Sequence, residues 1–285
     1  MIADWRDARL REVEIIVTAA DGTRLIACRT GHGTPVVLVH GSAGGLGSWD
    51  PVTPLLSDEF ELWVYARRGY APSDGSPRPK TYADDVVDLR AVVAAAGGSA
   101  HVVGGSYGAT VALHAAAGGD GAALRSLTLF EPPLFAAGRT LTATLDRFHH
   151  CLEAGNIAAA QRLFADEVSR VPAPILAALA DAGAGPQDAA EQAVAAAEAV
   201  GCLHDLEAMA ADTADIRQWA HLDVPVLLMQ GSDTWSPMPA TMNSLAEVMP
   251  GAARAVLPGQ SHFASHTAPN MFANAIREFL KQHDG

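Results

Sequence analysis

The feature that most constrains the fold is a serine flanked by glycines, between a β-like run and a helix-like run. The β-branched pair Val102-Val103 precedes Gly104-Gly105-Ser106-Tyr107-Gly108, and an alanine-rich segment follows. This stretch matches the pattern G-x-S-x-G, in which a strand turns sharply into a helix with the serine at the apex. Small residues two before and two after the serine let the strand and the helix pass closely. Five residues are a weak pattern by themselves, so the rest of the chain decides what this one means.

Composition and charge narrow the class of protein. The 285 residues are 49% hydrophobic and 18% charged, which is typical of a globular chain that buries a large core. A formal net charge of -13 argues against nucleic acid or an anionic membrane surface as a partner. The three cysteines form no metal-binding or redox spacing, which indicates a reducing compartment. With no apolar signal segment near the N-terminus, we expect a cytoplasmic protein without metal or organic cofactor.

Strand-like and helix-like runs alternate along the chain. Asp21-Gly22 lies between two β-like runs and predicts a hairpin. The almost continuously apolar run Pro35–His40 predicts a strand buried on both faces. Further predicted strands cover Phe60–Ala66, Val102–Gly104, Leu124–Phe130, Val224–Gln230 and Arg254–Leu257. Alternation of this kind predicts an α/β fold with a mostly parallel, doubly wound sheet.

The alternation of strand-like and helix-like runs stops between residues 134 and 219. No β-like run occurs from Phe135 to Trp219, and the composition becomes alanine-rich with helical periodicity, broken by Gly155 and by the Gly183–Pro186 stretch. The sequence therefore predicts a core domain of residues 1–133 and 220–285, with residues 134–219 inserted as a helical cap, or lid.

Polar residues follow several of the predicted strands, where the reacting groups of an open α/β sheet collect. Ser106, Asp233 and His262 occur in the order nucleophile, acid, base, and a serine nucleophile needs such a base and orienting acid. Glu131, at the end of the preceding strand, is the alternative acid. We favour Asp233 because Gly231 would give its loop freedom to aim a short carboxylate.

Several residues at or near the ends of the predicted strands have competing interpretations. Two prolines follow Glu131 and favour a structural role for it, and His266 is a rival base near the start of the last helix. Arg67 and Arg68 follow a predicted strand, and a solvated or loop-pinning role is favoured over substrate contact. His40 is interpreted as a residue that fixes its own loop.

These motifs together resemble the α/β-hydrolase-fold enzymes over essentially the whole chain. The matching stretches are Val37–Gly41, Gly104–Gly108, Gly231–Asp233 and Gly259–Phe263. The resemblance implies an oxyanion hole formed by the backbone N–H groups of Ser42 and Tyr107. It also implies that the inserted helices cover an acyl pocket.

The residues present narrow the chemistry that the resemblance allows. Dehalogenases and epoxide hydrolases of this fold use an aspartate where Ser106 stands, and epoxide hydrolases also need cap tyrosines that this chain lacks. Hydroxynitrile lyases of this fold use a lysine beside the triad, and neither Lys80 nor Lys281 is near it in sequence. Hydrolysis of a small, neutral and apolar ester, lactone or thioester remains the expectation. Carbon–carbon bond hydrolysis, cofactor-free perhydrolysis and a non-catalytic small-molecule receptor stay open as alternatives, as does a homodimer.

Overall fold

A computed structural model describes residues 13–118, 124–182, 188–213 and 215–284. The N-terminal segment used to infer localisation and the predicted helix break at 183–186 lie outside these residues. Within them, no helix is both long enough and apolar enough to cross a membrane.

One eight-stranded sheet organises the described residues. Its strands are β1 (Val13–Thr18), β2 (Arg24–Gly31), β3 (Thr34–Val39), β4 (Phe60–Tyr65), β5 (Ala100–Gly105), β6 (Leu124–Phe130), β7 (Val226–Gly231) and β8 (Ala253–Leu257). The spatial order is β1-β2-β4-β3-β5-β6-β7-β8, with β2 antiparallel to both β1 and β4 and every other pair parallel. The predicted mostly parallel sheet is confirmed. The predicted hairpin is also present, with Gly22 at φ 90° in its turn.

Helices cover both faces of this sheet. Those before β6 are α1 (Thr53–Leu56), α2 (Tyr82–Ala95) and α3 (Tyr107–Ala117), and those after β7 are α8 (Met238–Val248), α9 (Ala264–Thr267) and α10 (Pro269–Gln282). Alternate residues of β3 point to opposite faces: Val37 joins the cluster that packs on α2, α3 and α8, whereas Val36 joins the cluster that packs on α1 and α10. Both valines are completely buried, as the apolar run of β3 predicts for a central strand.

The described residues between β6 and β7 form helices and no strand. They contain α4 (Thr142–Glu153), α5 (Ile157–Leu163), a π-helical turn (Phe164–Val168), α6 (Ala173–Ala182) and α7 (Ala189–Ala211). We call this segment the insertion. Phe148 and Phe164 of the insertion belong to the same buried cluster as β5 and β6, so the insertion packs on the sheet. Trp235, just after β7, also donates its indole N–H to the carbonyl of Ser169, 2.9 Å away.

Candidate active site

Ser106 occupies a strained turn between β5 and α3. Its backbone has φ 53° and ψ -122°, a conformation that non-glycine residues rarely adopt and that marks functional sites. Its N–H donates to the carbonyl of Phe130 at 2.8 Å, which ties the turn to the end of β6. Ser106 therefore stands at the carboxyl edge of the sheet and at the N-terminus of α3, where developing negative charge is favoured.

The two outer glycines of the motif are required by close packing. A Cβ at Gly104 would lie 2.5 Å from the carbonyl oxygen of Gly108. A Cβ at Gly108 would lie 2.2 Å from the carbonyl oxygen of Val39 on the neighbouring strand. Neither backbone atom can move away, so any side chain at these two positions would displace α3 from the sheet. The glycines of the sequence pattern are thus explained by the close packing of α3 against β5 and β3.

His262 is bound to the carboxylate of Glu131. Its Nδ1 lies 2.6 Å from Glu131 Oε2, and Glu131 is completely buried. A carboxylate can only accept, so Nδ1 carries a hydrogen, and in the neutral imidazole the lone pair is then on Nε2. Glu131 Oε2 also accepts from the hydroxyl of Thr234, and Oε1 accepts from the N–H of Gly231, each at 2.8 Å. This set of three donors fixes the carboxylate and, through it, the imidazole.

The prediction that Asp233 is the acid in contact with His262 is wrong, because Glu131 occupies that place. Asp233 is exposed, and its carboxylate accepts from the hydroxyl of Ser232 at 2.7 Å. Gly231 does not loosen this loop: a Cβ there would lie 2.1 Å from the carbonyl oxygen of Gln260, so glycine permits tight packing. Glu131 instead takes the left-handed conformation, with φ 47°, which turns its longer side chain back towards β7. Pro132 and Pro133 follow Glu131 where the chain enters the insertion. They suggested a structural role for Glu131 and gave no indication of its left-handed backbone.

The loop after β3 comes close to Ser106. A Cβ on Gly41 would lie 3.1 Å from Ser106 Cβ and 3.8 Å from its Oγ. Ser42 directly follows Gly41 in this loop, and Tyr107 directly follows Ser106, so the two residues predicted to form an oxyanion hole each adjoin one of the two residues that approach each other here. The Ser42 hydroxyl donates to Asp205 of α7 at 2.7 Å, a contact for which the sequence provides no indication.

A cavity of about 410 Å³ lies between the sheet edge and the insertion. Ser106, Ser42 and His262 line it, together with apolar side chains from the core and the insertion: Trp49, Phe130, Phe148, Phe164, Val168, Leu176, Met209 and Met238. The rival base His266 is also at its wall, but its Nδ1 lies 3.0 Å from the hydroxyl of Ser265. Among the described residues that line the cavity there is no Lys, Arg, Asp or Glu. Among all the residues that the structure describes, no group of three or more His, Cys, Asp or Glu side chains is arranged to hold a metal ion.

His40 supports the loop that carries Ser42. Its Nε2 accepts from the N–H of Arg67 at 3.0 Å, and its Nδ1 donates to the carbonyl of Gly41 at 2.7 Å. Burial, together with the nearby Arg67 guanidinium, lowers the pKa of His40 to about 3. His40 is therefore a neutral, loop-fixing residue. Arg67 and Arg68 are buried in ion pairs, so they pin loops and are not solvated.

The lowered pKa of His40 predicts acid sensitivity of the fold. An unfolded histidine has a pKa near 6.5. Between pH 3 and 6.5 the unfolded state therefore binds a proton that folded His40 does not, and the free energy of unfolding falls as pH falls, by up to about 1.4 kcal/mol per pH unit. We expect His40→Gln to flatten the slope of this free energy between pH 4 and 6 in urea titrations. The exposed His150→Gln is the control and should retain the wild-type slope; equal slopes in both variants would contradict the assignment.

Comparison with known proteins shows the family to which the chain belongs. Residues 36–275 match the model of the Alpha/beta hydrolase family. The match covers most of the chain, so the protein belongs to the α/β hydrolase family.

Among its relatives is the 2-(acetamidomethylene)succinate hydrolase of Mesorhizobium japonicum, 25% identical over 266 residues, which are 88% of this chain and 89% of the relative. An α/β hydrolase from Sphaerobacter thermophilus superposes with a TM-score of 0.80 at 30% identity, covering 93% of this chain and all of that one. The enol-lactonase from Burkholderia xenovorans superposes with a TM-score of 0.76 at 20% identity, covering 94% of this chain and all of the other, which shows the shared fold.

Proposed function

We propose that the chain is a serine hydrolase of small uncharged esters, lactones or thioesters. The observation that carries this proposal is the His262 imidazole, held at 2.6 Å by buried Glu131 and lining the same cavity as Ser106 on its strained turn. A nucleophile, a base with a free nitrogen and a buried acid are the parts that acyl transfer requires.

The proposed reaction begins with attack by Ser106 Oγ on the substrate carbonyl. His262 Nε2 takes the serine proton, and Glu131 stabilises the imidazolium that forms. The carbonyl oxygen becomes an oxyanion that accepts from the backbone N–H groups of Ser42 and Tyr107. The C–O or C–S bond then breaks, and the imidazolium gives its proton to the leaving alcohol or thiol. Water attacks the acyl-enzyme with His262 again as base, releasing the acid and restoring Ser106.

The cavity wall supports an uncharged substrate. A carboxylate on the substrate would lose its hydration inside an apolar pocket with no cationic side chain among its described lining residues. Arg170 lies between Ser169 and Val171, which both line the cavity, but its own side chain is exposed. The relative from Mesorhizobium is named for a succinate derivative, so we propose that this chain differs from it in substrate charge.

A parallel substrate panel tests the proposed function. It contains p-nitrophenyl butyrate and mono-p-nitrophenyl succinate, which have the same acyl length and differ by a terminal carboxylate, together with lactones, thioesters and dienoate ketones. We expect the butyrate to exceed the succinate in kcat/KM by about 100-fold or more, because the carboxylate must be desolvated. Higher activity on the succinate would contradict the neutral-substrate proposal. Activity on dienoates alone would support carbon–carbon bond hydrolysis, an added hydrogen peroxide arm detects perhydrolysis, and binding without turnover would support a receptor.

The insertion should set the acyl chain length. Phe164 and Leu176 line the cavity, so Phe164→Leu and Leu176→Ala should lengthen the space available to the acyl group. Because a methylene in an apolar pocket changes kcat/KM by about 10- to 200-fold, we expect the octanoate-to-butyrate ratio of kcat/KM to rise about tenfold. Leu152→Ala is the matched control, since Leu152 packs on the core cluster without lining the cavity. An equal ratio in all three variants would contradict this role.

A further inference from the structure

Four charged side chains are completely buried together behind the loop that carries Ser42. Arg67, Lys80, Asp85 and Asp205 form what we call the charge cluster, and each side chain is 0% exposed. Arg67 donates to both carboxylate oxygens of Asp205, at 2.8 and 2.7 Å. Lys80 Nζ lies 2.7 Å from Asp205 and 3.1 Å from Asp85. Two positive and two negative groups balance, so the cluster can stay buried as a neutral unit.

The charge cluster joins the insertion to the core. Asp205 is on α7 of the insertion, whereas Asp85 is on α2 and Arg67 and Lys80 are in loops of the core. Burial by itself would raise the pKa of Asp205, but the charges of Arg67 and Lys80 hold it well below its usual range. Asp205 therefore stays ionised and accepts from both partners. Nothing in the apolar periodicity of α7 indicates such a residue.

The same two carboxylates bind the two residues of the proposed oxyanion hole. Asp205 accepts from the hydroxyl of Ser42, and Asp85 accepts from the hydroxyl of Tyr107, each at 2.7 Å. Tyr70 adds a third link: its hydroxyl donates to Asp205 at 2.7 Å and accepts from the N–H of Ala43 at 3.2 Å. The side chains of Ser42 and Tyr107 are thus both hydrogen-bonded to one buried set of charges.

Arg67 extends this support along the loop backbone. Its Nε donates to the carbonyl of His40 at 2.9 Å, and its Nη2 donates to the carbonyl of Gly41 at 3.2 Å. Its guanidinium also stacks over the ring of Tyr107, 4.3 Å from the ring centroid. Successive residues before Ser42 therefore contact the cluster, and so does the residue after Ser106.

We propose that Asp205 is a positioning residue for the oxyanion hole, so that the insertion contributes to the rate of the reaction as well as to substrate choice. This inference rests on the proposed function. An oxyanion donor is effective only when it is aimed at the position that the oxyanion will occupy. Asp205, reaching from α7, holds the loop of Ser42 in that position. Loss of this contact should lower kcat equally for every acyl chain, unlike the changes at Phe164 and Leu176.

The test compares Asp205→Asn, Ser42→Ala and their double variant on p-nitrophenyl esters of several acyl lengths. Ser42→Ala keeps the backbone N–H and the whole charge cluster and removes only the hydroxyl. Ser126→Ala is the matched control, because the buried Ser126 hydroxyl also bonds a side chain, Nδ1 of His101 at 2.7 Å, away from the cavity. Affinity for a boronic acid, which forms a tetrahedral anion on Ser106, is measured alongside kcat and KM.

We expect kcat to fall about 100-fold in Asp205→Asn and about 10-fold in Ser42→Ala, at every acyl length, with KM within threefold of wild type, since part of one oxyanion donor is lost. Boronic acid affinity should fall by similar factors. The double variant should be no slower than Asp205→Asn, because the hydroxyl has already lost its charged partner. Ser126→Ala should match wild type in kcat.

Several outcomes would overturn the inference. The inference is overturned if kcat of Ser42→Ala stays within twofold of wild type. This test can still be made if Asp205→Asn fails to fold. Effects confined to KM, effects that vary with acyl length, or additive losses in the double variant also overturn it. An active wild type with unaffected variants rejects only the positioning role, whereas a wild type inactive on the whole panel rejects the proposed function together with it.

Discussion

Replacing Ser106 with alanine is expected to lower kcat about 10⁶-fold, to a residual rate set by the remaining binding and oxyanion groups. The expected loss is this large because the covalent acyl-enzyme can no longer form and His262 has no hydroxyl to activate. The Ser106 side chain is also not needed by the fold: its strained backbone is held by the N–H bond to Phe130 and by packing at Gly104 and Gly108. Thermal unfolding should therefore stay near the wild-type midpoint.

Steady-state kinetics on the best ester of the panel measure this loss, with stopped assays long enough to quantify the residual rate. KM for the remaining activity should stay near the wild-type value, since the apolar cavity wall is unchanged. A variant that keeps more than a hundredth of wild-type kcat would show that a different group attacks the carbonyl.

Replacing Glu131 with glutamine is expected to cost on the order of 10⁴ in kcat, the loss seen when an orienting acid becomes an amide. The amide cannot satisfy all three partners of the carboxylate. If its oxygen faces His262, its NH₂ group meets the N–H of Gly231, donor against donor. If its NH₂ group faces His262, Nδ1 must accept, and the hydrogen moves to Nε2, where it blocks proton transfer from Ser106.

Asp233→Asn is the matched control for Glu131→Gln, because the same chemical change is made on an exposed carboxylate bound to Ser232. We expect its kcat to stay within twofold of wild type. Parallel measurement of kcat and of the unfolding midpoint separates loss of orientation from loss of structure. If Asp233→Asn loses three or more orders of magnitude while Glu131→Gln stays near wild type, the acid is Asp233 in spite of the observed contacts.

The sequence predicts the fold well because the fold depends on local patterns. The apolar run of β3, the hairpin at Gly22 and the alternation of strands with helices each arise from neighbouring residues. The turn at Ser106 is partly local: Gly104 is required by contact with Gly108 inside the motif, whereas Gly108 is required by contact with Val39 on the neighbouring strand β3. His262 is likewise brought to the Ser106 cavity, as its place after the last strand predicts.

The choice of acid could not be predicted in the same way. Glu131 and Asp233 follow adjacent parallel strands, β6 and β7, so strand order alone does not distinguish them. The outcome depends on the left-handed backbone of Glu131 and on the tight packing of Gly231 against Gln260. Both are tertiary effects. The sequence suggests that Gly231 makes its loop flexible, whereas in the structure this glycine permits close packing.

The charge cluster was missed for a related reason. Charged residues are mostly exposed, so Arg67 and Lys80 had no sequence feature that marked them as buried. Their partner Asp205 lies 138 and 125 residues away in the chain, on a helix whose periodicity indicates only apolar packing. Only the folded arrangement of the insertion on the core brings these charges together.

Labelling with a fluorophosphonate, followed by peptide mass spectrometry, tests the central claim most directly. The probe reacts with a serine whose hydroxyl is activated by a base and whose adduct is stabilised by oxyanion donors. We predict one adduct per chain, on the peptide that contains Ser106, absent in Ser106→Ala, strongly slowed in Glu131→Gln and unchanged in Asp233→Asn. An adduct that persists in Ser106→Ala, or a folded wild-type protein that remains unlabelled, would contradict the account.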